Sequence, residues 1–474
     1  MNKLDTPAAM TAQVRRHHAY RLLWRWHFYA GLGCLPFVLW LSATGLIYLF
    51  KPQLEPLLEQ RYAQVAQLST PLPPSTLVAK AIAAVPGSTL NAYQLAQAPH
   101  DAAQILVGRG KDLHRIYLDP GSGQILHEVR ENDRFMRVIF YLHGELMLGE
   151  NGSLLVELAA SWTILALLTG LYLWWPRSAR LAGVIYPRLR QGTRIALRDL
   201  HAVTAMWISV LALFLLVSGL PWSKSWGGLL AQLRQWHIDA PLHQDWNLSS
   251  AAEQAKWQAM NSAPTAGQAA PMGGMPGMNM PASDAAVDRA PVAAPADYRA
   301  LDRLLPVLAA LQLPAPVTLS PPSRLDANWN AHAQPQDRSQ RVDLELDGTR
   351  AQVLSRIDFA QRPWLDRVIG YGVAIHEGQL FAPLNQVLGV LTALGLQLMA
   401  ISALCAWWRR RPTGALGAPP PLLDRRYPLA LVGALMVLGV LLPLLGLSML
   451  AVLLVERLWL RRWPAARQFL GLGA

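Results

Sequence analysis

YLHGELMLGENGSLLVELAASWTILALLTGLYLWWPR, residues 141–177, decides the fold. From 154 to 175 it is apolar over the roughly 20 residues that a helix needs to cross a bilayer. It ends on Trp174, Trp175 and a basic residue, as spans do at a membrane interface. His143 stands at the lip of this run. A single histidine there reads as an ordinary interfacial residue, and the rest of the chain decides whether it is more.

The chain has 474 residues, of which 52% are hydrophobic and only 15% charged. Soluble proteins carry about 25% charge. Further apolar runs occupy 28–50, 202–222, 384–408 and 428–460. The last is longer than one span needs and is interrupted by Pro443 and Gly446, which reads as a hairpin, with one long tilted helix as the alternative. The net charge of +12 is concentrated beside these runs. Basic residues so placed orient spans rather than bind nucleic acid, so no nucleic-acid partner is expected. Cys34 and Cys405 lie in different runs, and no CxxC or CxxCH occurs. That argues against a disulfide framework, a zinc ribbon and covalently attached haem.

Lys3, Arg15, Arg16, Arg21 and Arg25 precede the first run, six arginines lie between the second and third, and Arg409–Arg411, Arg425 and Arg426 follow the fourth. All belong on the cytoplasmic side. The expected class is a membrane α-helical bundle: four core spans plus a C-terminal hydrophobic hairpin or long helix, with two external α+β modules. The divisions are a basic cytoplasmic tail (1–26), a first span (27–50), a periplasmic module (51–142), an outer histidine segment with the second span (143–175) and a cytoplasmic basic loop (176–200). A third span (201–222), a second module (223–375), an outer histidine segment with the fourth span (376–408), a cytoplasmic loop (409–427), the hairpin (428–460) and a basic tail (461–474) follow. This makes a multi-pass protein of a bacterial inner membrane, with its N-terminus in the cytoplasm and the lipid bilayer as its first partner.

The order is written twice. His143 precedes Trp174-Trp175 by 31 and 32 residues, and His376 precedes Trp407-Trp408 by the same offsets. The lead-ins RFMRVIFYLHGEL and PWLDRVIGYGVAIHEGQL are alike. His27 and His201 are each followed 18 residues later by a glycine, Gly45 and Gly219, in TGL and SGL. Between these landmarks each half carries a helix candidate (76–87; 298–313) and hairpin strands, with turns at Pro120-Gly121 and Asp347-Gly348. The second half is longer, chiefly through 250–297, which reads as a flexible insert.

Four histidines, two per face, form the candidate site: His27 with His201, and His143 with His376. Ionisable residues at a membrane edge are functional hypotheses by default. Two neutral imidazoles facing across a bundle supply the two axial bonds of a haem iron. Without CxxCH the haem is b-type, held non-covalently, two per chain. The competing reading is zinc, since His143-Gly144-Glu145 matches the H-x-E of zinc deaminases, but no PCxxC follows and His376 does not keep that spacing. His17, His18, His100, His114, His127, His237, His243 and His332 share no spacing and read as solvated or surface residues. Met272, Met275, Met278 and Met280 gather in PMGGMPGMNMP (271–281), either a soft-metal site suited to Cu(I) or low-complexity chain. Trp40, Trp162 and Trp207 fall within spans and read as packing residues.

At WRWHFYAGL, SATGLIYLF, YLHGELMLG, RDLHAVTAMW, LVSGLPW, IHEGQLFAPLNQ and PLLGLSMLAVLLVERLWLRR the chain resembles the PepSY-associated transmembrane family. The likeness covers nearly its whole length. It departs at Ala205, where the family carries glycine, and in the insert 250–297. The resemblance implies periplasmic PepSY-like modules and, for members similar to the ferrioxamine (ferrisiderophore) reductases, a haem enzyme that reduces Fe(III) in a siderophore to Fe(II) for iron uptake. It makes His27, His143, His201 and His376 the haem-ligand candidates; no catalytic residue emerges. The chain has no GxGxxG unit, so electrons are expected from quinol or a separate reductase. The alternatives are a non-redox copper or iron handling or transport component using the methionines, and a peptide-binding or peptidase-regulating membrane protein.

Overall fold

The computed structural model describes residues 7–65, 70–110, 112–176, 181–237, 298–322, 328–419 and 428–472. The first unit runs through α1 (Pro7–Leu49), α2 (Lys51–Ala63), α3 (Pro74–Ala84), β1 (Thr89–Gln94), β2 (Ala103–Arg109), β3 (Asp112–Leu118), β4 (Ile125–Arg130), α4 (Phe135–Gly144) and α5 (Gly149–Trp174). The second repeats that order through α6 (Thr193–Gly219), α7 (Lys224–His237), α8 (Ala300–Ala310), β5 (Val317–Ser320), β6 (Trp329–Ala333), β7 (Val342–Asp347), β8 (Gln352–Asp358), α9 (Trp364–His376) and α10 (Leu384–Trp408). Then come α11 (Leu429–Leu441), α12 (Pro443–Leu458) and α13 (Pro464–Leu470).

The helix expected to begin at 27 begins inside the basic tail, because neither glycine nor proline interrupts 8–30. Its membrane-length portion is Ala19–Leu49. With Gly149–Trp174, Thr193–Trp222, Leu384–Trp408 and Pro443–Arg462, five described helices are long and apolar enough to cross a membrane. Their outward side chains are apolar too: Val210 is 75% and Leu391 56% exposed, which in water would be a liability and in lipid is not. α1 packs along α5 and α10, and α6 along the same two, so α1 and α6 stand diagonally across a four-helix ring.

The C-terminal run reverses at Leu442 (φ −124°, ψ 83°), where the chain enters Pro443. A Cβ on Gly439 would lie 3.2 Å from the Gly446 Cα, so the two glycines allow the arms to touch. Leu442 and Leu445 bury against Ile164, Leu165 and Leu220 of the bundle.

Outside the bundle the expected pair of modules is corrected. Their strands make one eight-stranded antiparallel sheet, β4-β3-β2-β1-β5-β6-β7-β8. The halves join where Tyr93 pairs with Leu319 and Gln94 with Thr318. β1, β5 and β6 escaped the sequence reading: β5 and β6 run only four and five residues, and β1 carries a register shift between Leu90 and Ala92. α3 and α8 cover one face, burying Leu77, Val78, Leu301, Leu304 and Leu308 in a single core that draws on both units. The helices are tied by Asp302, which accepts from the Ser75 amide at 2.8 Å and its hydroxyl at 2.6 Å.

The sheet is fixed to the bundle by charge. Arg134, just before α4, reaches Glu55 and Glu59 on α2 at 2.7 Å each and Glu131 at 3.1 Å. Glu131 also takes Arg115 at 2.8 Å. Burial pushes the Glu131 carboxyl up, but Arg115 and Arg134 outweigh it and hold it down to about 2. A carboxyl depressed in the folded state adds stability above its unfolded value of 4.5 and loses it as pH falls toward 2. Thermal stability in detergent is therefore expected to fall from pH 5 to pH 2.5, and the dependence to shrink in Arg134→Gln; an equally steep variant contradicts this linkage.

Candidate functional site

The four histidines come together as two pairs. At the end of the bundle that carries the basic loops, His27 on α1 and His201 on α6 meet across the ring diagonal, ring centres 6.0 Å apart and planes at 65°. At the end that carries the sheet, His143 and His376 meet at 6.5 Å and 72°. The sheet-end pair does not stand on spans. Each is in the last turn of a short helix, α4 or α9, that precedes its span. After α4 the chain turns through Leu146 (φ 52°), Met147 (φ 58°) and Gly149 (φ 58°) before α5 begins, so helix and span separate where the sequence reads one segment. Gly45, beside His143, lies 18 residues beyond His27. At about 1.5 Å per residue the two pairs are about 27 Å apart along the helix, close to the ~30 Å hydrocarbon thickness.

Hydrogen bonds fix the same tautomer four times. Nδ1 of His27 lies 2.9 Å from the Ala166 carbonyl, and Nδ1 of His201 3.0 Å from the Met399 carbonyl. A carbonyl only accepts, so both Nδ1 atoms carry the proton. Nδ1 of His143 lies 3.1 Å from Thr44 Oγ1, whose own proton goes to the Trp40 carbonyl at 2.9 Å. Nδ1 of His376 lies 3.0 Å from Ser218 Oγ, which donates to the Leu215 carbonyl at 3.3 Å. Both hydroxyls therefore accept. Every Nε2 keeps its lone pair, as a metal-binding imidazole oriented by an outer-shell partner does. Burial and the neighbouring His376 hold His143 down to about 4, so it is neutral at physiological pH. Burial lowers His376 as well, against the pull of Glu377.

Ring space comes from missing side chains. A Cβ on Gly170 would sit 2.9 Å from His27 Cε1, on Gly45 3.0 Å from His143 Cε1, and on Gly219 3.4 Å from His376 Cε1. A cavity of about 1050 Å³ opens between α1 and α6 beside His27 and His201; Gly31, Gly170, Ala400 and Ala403 line it, with Arg194, Arg198, Arg409 and Arg410 on its border. Gly170→Val is expected to crowd His27 at a cost of about 1–3 kcal/mol, read by denaturant unfolding in detergent; unchanged stability contradicts the assigned contact.

The chemistry open to each pair is narrow. Metal–nitrogen bonds of about 2 Å, plus about 1.1 Å from each nitrogen to its ring centre, put two imidazoles about 6 Å apart when they face each other across one metal and about 5 Å apart at a tetrahedral angle. Among the described residues no three or more His, Cys, Asp or Glu gather as a metal cage. Each pair thus suits two opposed axial bonds better than a tetrahedral zinc site. Glu145, of the H-x-E reading, is buried and has no counterpart in the second pair.

The other histidines stay apart from the pairs. His114 bonds Glu128 at 2.8 Å, His332 bonds Asp343 at 2.9 Å, His100 bonds the Val65 carbonyl at 3.1 Å, and His127 stacks on Tyr62 at 4.1 Å. Met272, Met275, Met278, Met280 and His243 lie outside the described residues, as do the side chains of His17, His18 and His237. Trp40 and Trp207, read as packing residues, are 45% and 63% exposed toward the lipid face. Trp40 donates to the Leu142 carbonyl at 3.1 Å, which pins the turn carrying His143.

Several contributors escaped the sequence reading. Thr44 and Ser218 occupy equivalent places, one residue before Gly45 and Gly219, and that repeat was the available signal. Trp222 packs edge-on against His376 at 5.5 Å. Glu157, buried within α5, accepts from the Ser225 and Trp226 amides at 2.9 and 3.3 Å and so caps the start of α7.

A family model described as PepSY-associated TM region matches residues 24–410. The matched stretch includes both histidine pairs and the sheet and stops before the C-terminal hairpin. No curated protein matches the chain significantly.

Proposed function

The chain belongs to the PepSY-associated TM region family, and from that premise we propose that it is an inner-membrane haem-b oxidoreductase that reduces ferric iron, held in a siderophore outside the cytoplasm, to Fe(II) for uptake. The observation that carries the reading is the two equivalent imidazole pairs, at 6.0 and 6.5 Å, at opposite ends of one bundle. The basic end, with Arg188, Arg190, Arg194 and Arg409–Arg411, faces the cytoplasm by the positive-inside rule. The sheet end then faces the periplasm.

The residues fit a haem on three counts. Each site offers two lone-pair nitrogens. The basic-end cavity is walled by small and apolar side chains. Four arginines border that cavity and suit the carboxylates of a porphyrin. Haem held at both ends would supply one-electron redox chemistry on each side of the membrane. The chain's own task is to hold the imidazoles neutral, turn Nε2 inward and keep water away from them. The substrate is the ferric chelate: hard oxygen ligands hold Fe(III) firmly, and one added electron makes the softer Fe(II) that they hold less well. The electron is taken from quinol or a separate reductase on the cytoplasmic side.

Spectra of the detergent-purified protein, oxidised and dithionite-reduced, test this. A Soret band that sharpens and shifts on reduction, and is reoxidised by a ferric siderophore, is the expected result. No Soret band after expression with added haem precursor overturns it.

A further inference from the structure

The four core spans share a short motif, and each copy serves one histidine. Thr44-Gly45 on α1, Thr169-Gly170 on α5, Ser218-Gly219 on α6 and Ser402-Ala403 on α10 each set a hydroxyl beside a small residue. Each hydroxyl donates to the carbonyl three residues earlier: Thr44 to Leu41 at 3.3 Å, Thr169 to Ala166 at 3.0 Å, Ser218 to Leu215 at 3.3 Å and Ser402 to Met399 at 3.0 Å. Each of these turns meets a histidine from another helix, His143, His27, His376 and His201 in the same order.

The two ends use the motif differently. At the basic end the imidazole proton goes to the carbonyl, at 2.9 Å for His27 and 3.0 Å for His201. Thr169 Oγ1 stands farther from His27, at 3.3 Å, and the Ser402 hydroxyl turns to the Leu398 and Met399 carbonyls at 2.7 and 3.0 Å. At the sheet end the aligned bonds run to the hydroxyls, Thr44 at 3.1 Å and Ser218 at 3.0 Å. The Leu41 and Leu215 carbonyls attract the same protons, but they already accept from those hydroxyls. A hydroxyl oxygen accepts less strongly than an amide carbonyl. It leaves the imidazole a less basic ligand, and a less basic ligand favours Fe(II) over Fe(III).

We propose that Thr44 and Ser218 are positioning residues of the sheet-end site: their hydroxyls hold the ring planes of His143 and His376 and set how that pair divides its preference between ferric and ferrous haem iron, whereas Thr169 and Ser402 only back up a carbonyl. This rests on the haem reading above. One repeated motif thereby makes two sites of different redox character in one bundle.

Two single-site forms of the full chain, loaded with haemin in detergent, separate the ends: His27→Ala/His201→Ala keeps the sheet end, and His143→Ala/His376→Ala the basic end. In the first form, Thr44→Val/Ser218→Ala is expected to raise the reduced-to-oxidised ratio at a fixed potential at least about threefold, which is about 28 mV for one electron. The same pair of changes is expected to shift the ferric low-spin EPR signal, which reports the angle between the imidazole planes. Thr44→Ser/Ser218→Thr keeps both hydroxyls and is expected to match the parent in both readouts. In the second form, Thr169→Val/Ser402→Ala is expected to leave both readouts unchanged. An unmoved sheet-end potential, an equal shift at the basic end, or a shift in the variant that keeps the hydroxyls overturns the proposal. If neither form takes up haemin, the haem reading fails, and nitrogen NMR of the histidine-labelled, haem-free chain decides the hydroxyl assignment: His143 and His376 are expected protonated at Nδ1, and protonation at Nε2 of either overturns it.

Discussion

Alanine at His143 or at His376 is expected to halve the haem content of the purified protein. Under the proposed haem reading each pair would hold the metal of its own site, and the pairs are separated by the length of a span, so the loss would stay local. The haem-to-protein ratio falls from about two to about one in either variant, and likewise in His27→Ala or His201→Ala. One substitution from each end together leaves none. A ligand present at a thousand times its dissociation constant stabilises the native state by about 4 kcal/mol, so melting temperature falls along with the spectrum. Pyridine haemochrome assay against protein concentration measures the ratio. Two full haems in both His143→Ala and His376→Ala would refute that pair.

Arg234→Ala is expected to cost about 3–5 kcal/mol, the range for one partner removed from a buried ion pair. The Arg234 and Asp366 side chains are 4% and 3% exposed, and join in a two-pronged contact at 2.8 and 2.7 Å. Arg234 is on α7, Asp366 in the first turn of α9, and His376 ends α9. Loss of the guanidinium strands the carboxylate and loosens the helix that aims this imidazole. Arg234→Met with Asp366→Leu removes both charges and is expected to recover most of the loss. Denaturant unfolding in detergent reads both variants; a single variant as stable as the parent, or a double variant no better than the single, contradicts the account. The first unit makes the same join with its signs reversed: Glu55 and Glu59 on α2 hold Arg134 at the start of α4. The repeat conserves the place of the tie and not its chemistry.

That substitution of sign shows why the sequence could be read only so far. Apolar length, flanking arginines and equal offsets between histidine and Trp-Trp are properties of consecutive residues, and they determined the spans, the duplication and the four histidines. Pro443 and Gly446, inside an apolar run longer than one span needs, also made the C-terminal break legible. The repeat placed the histidines two per face, and tertiary structure decided that the two of each face touch, because partners such as His27 and His201 stand 174 positions apart on diagonal helices that touch little. It alone decided the tautomers, which depend on carbonyls and hydroxyls of neighbouring helices. It joined two modules into one sheet through a β1–β5 contact with only two paired positions, too short to leave a pattern. Local pattern sets what each segment is; the pairing of segments depends on shape and charge met only when the chain closes on itself.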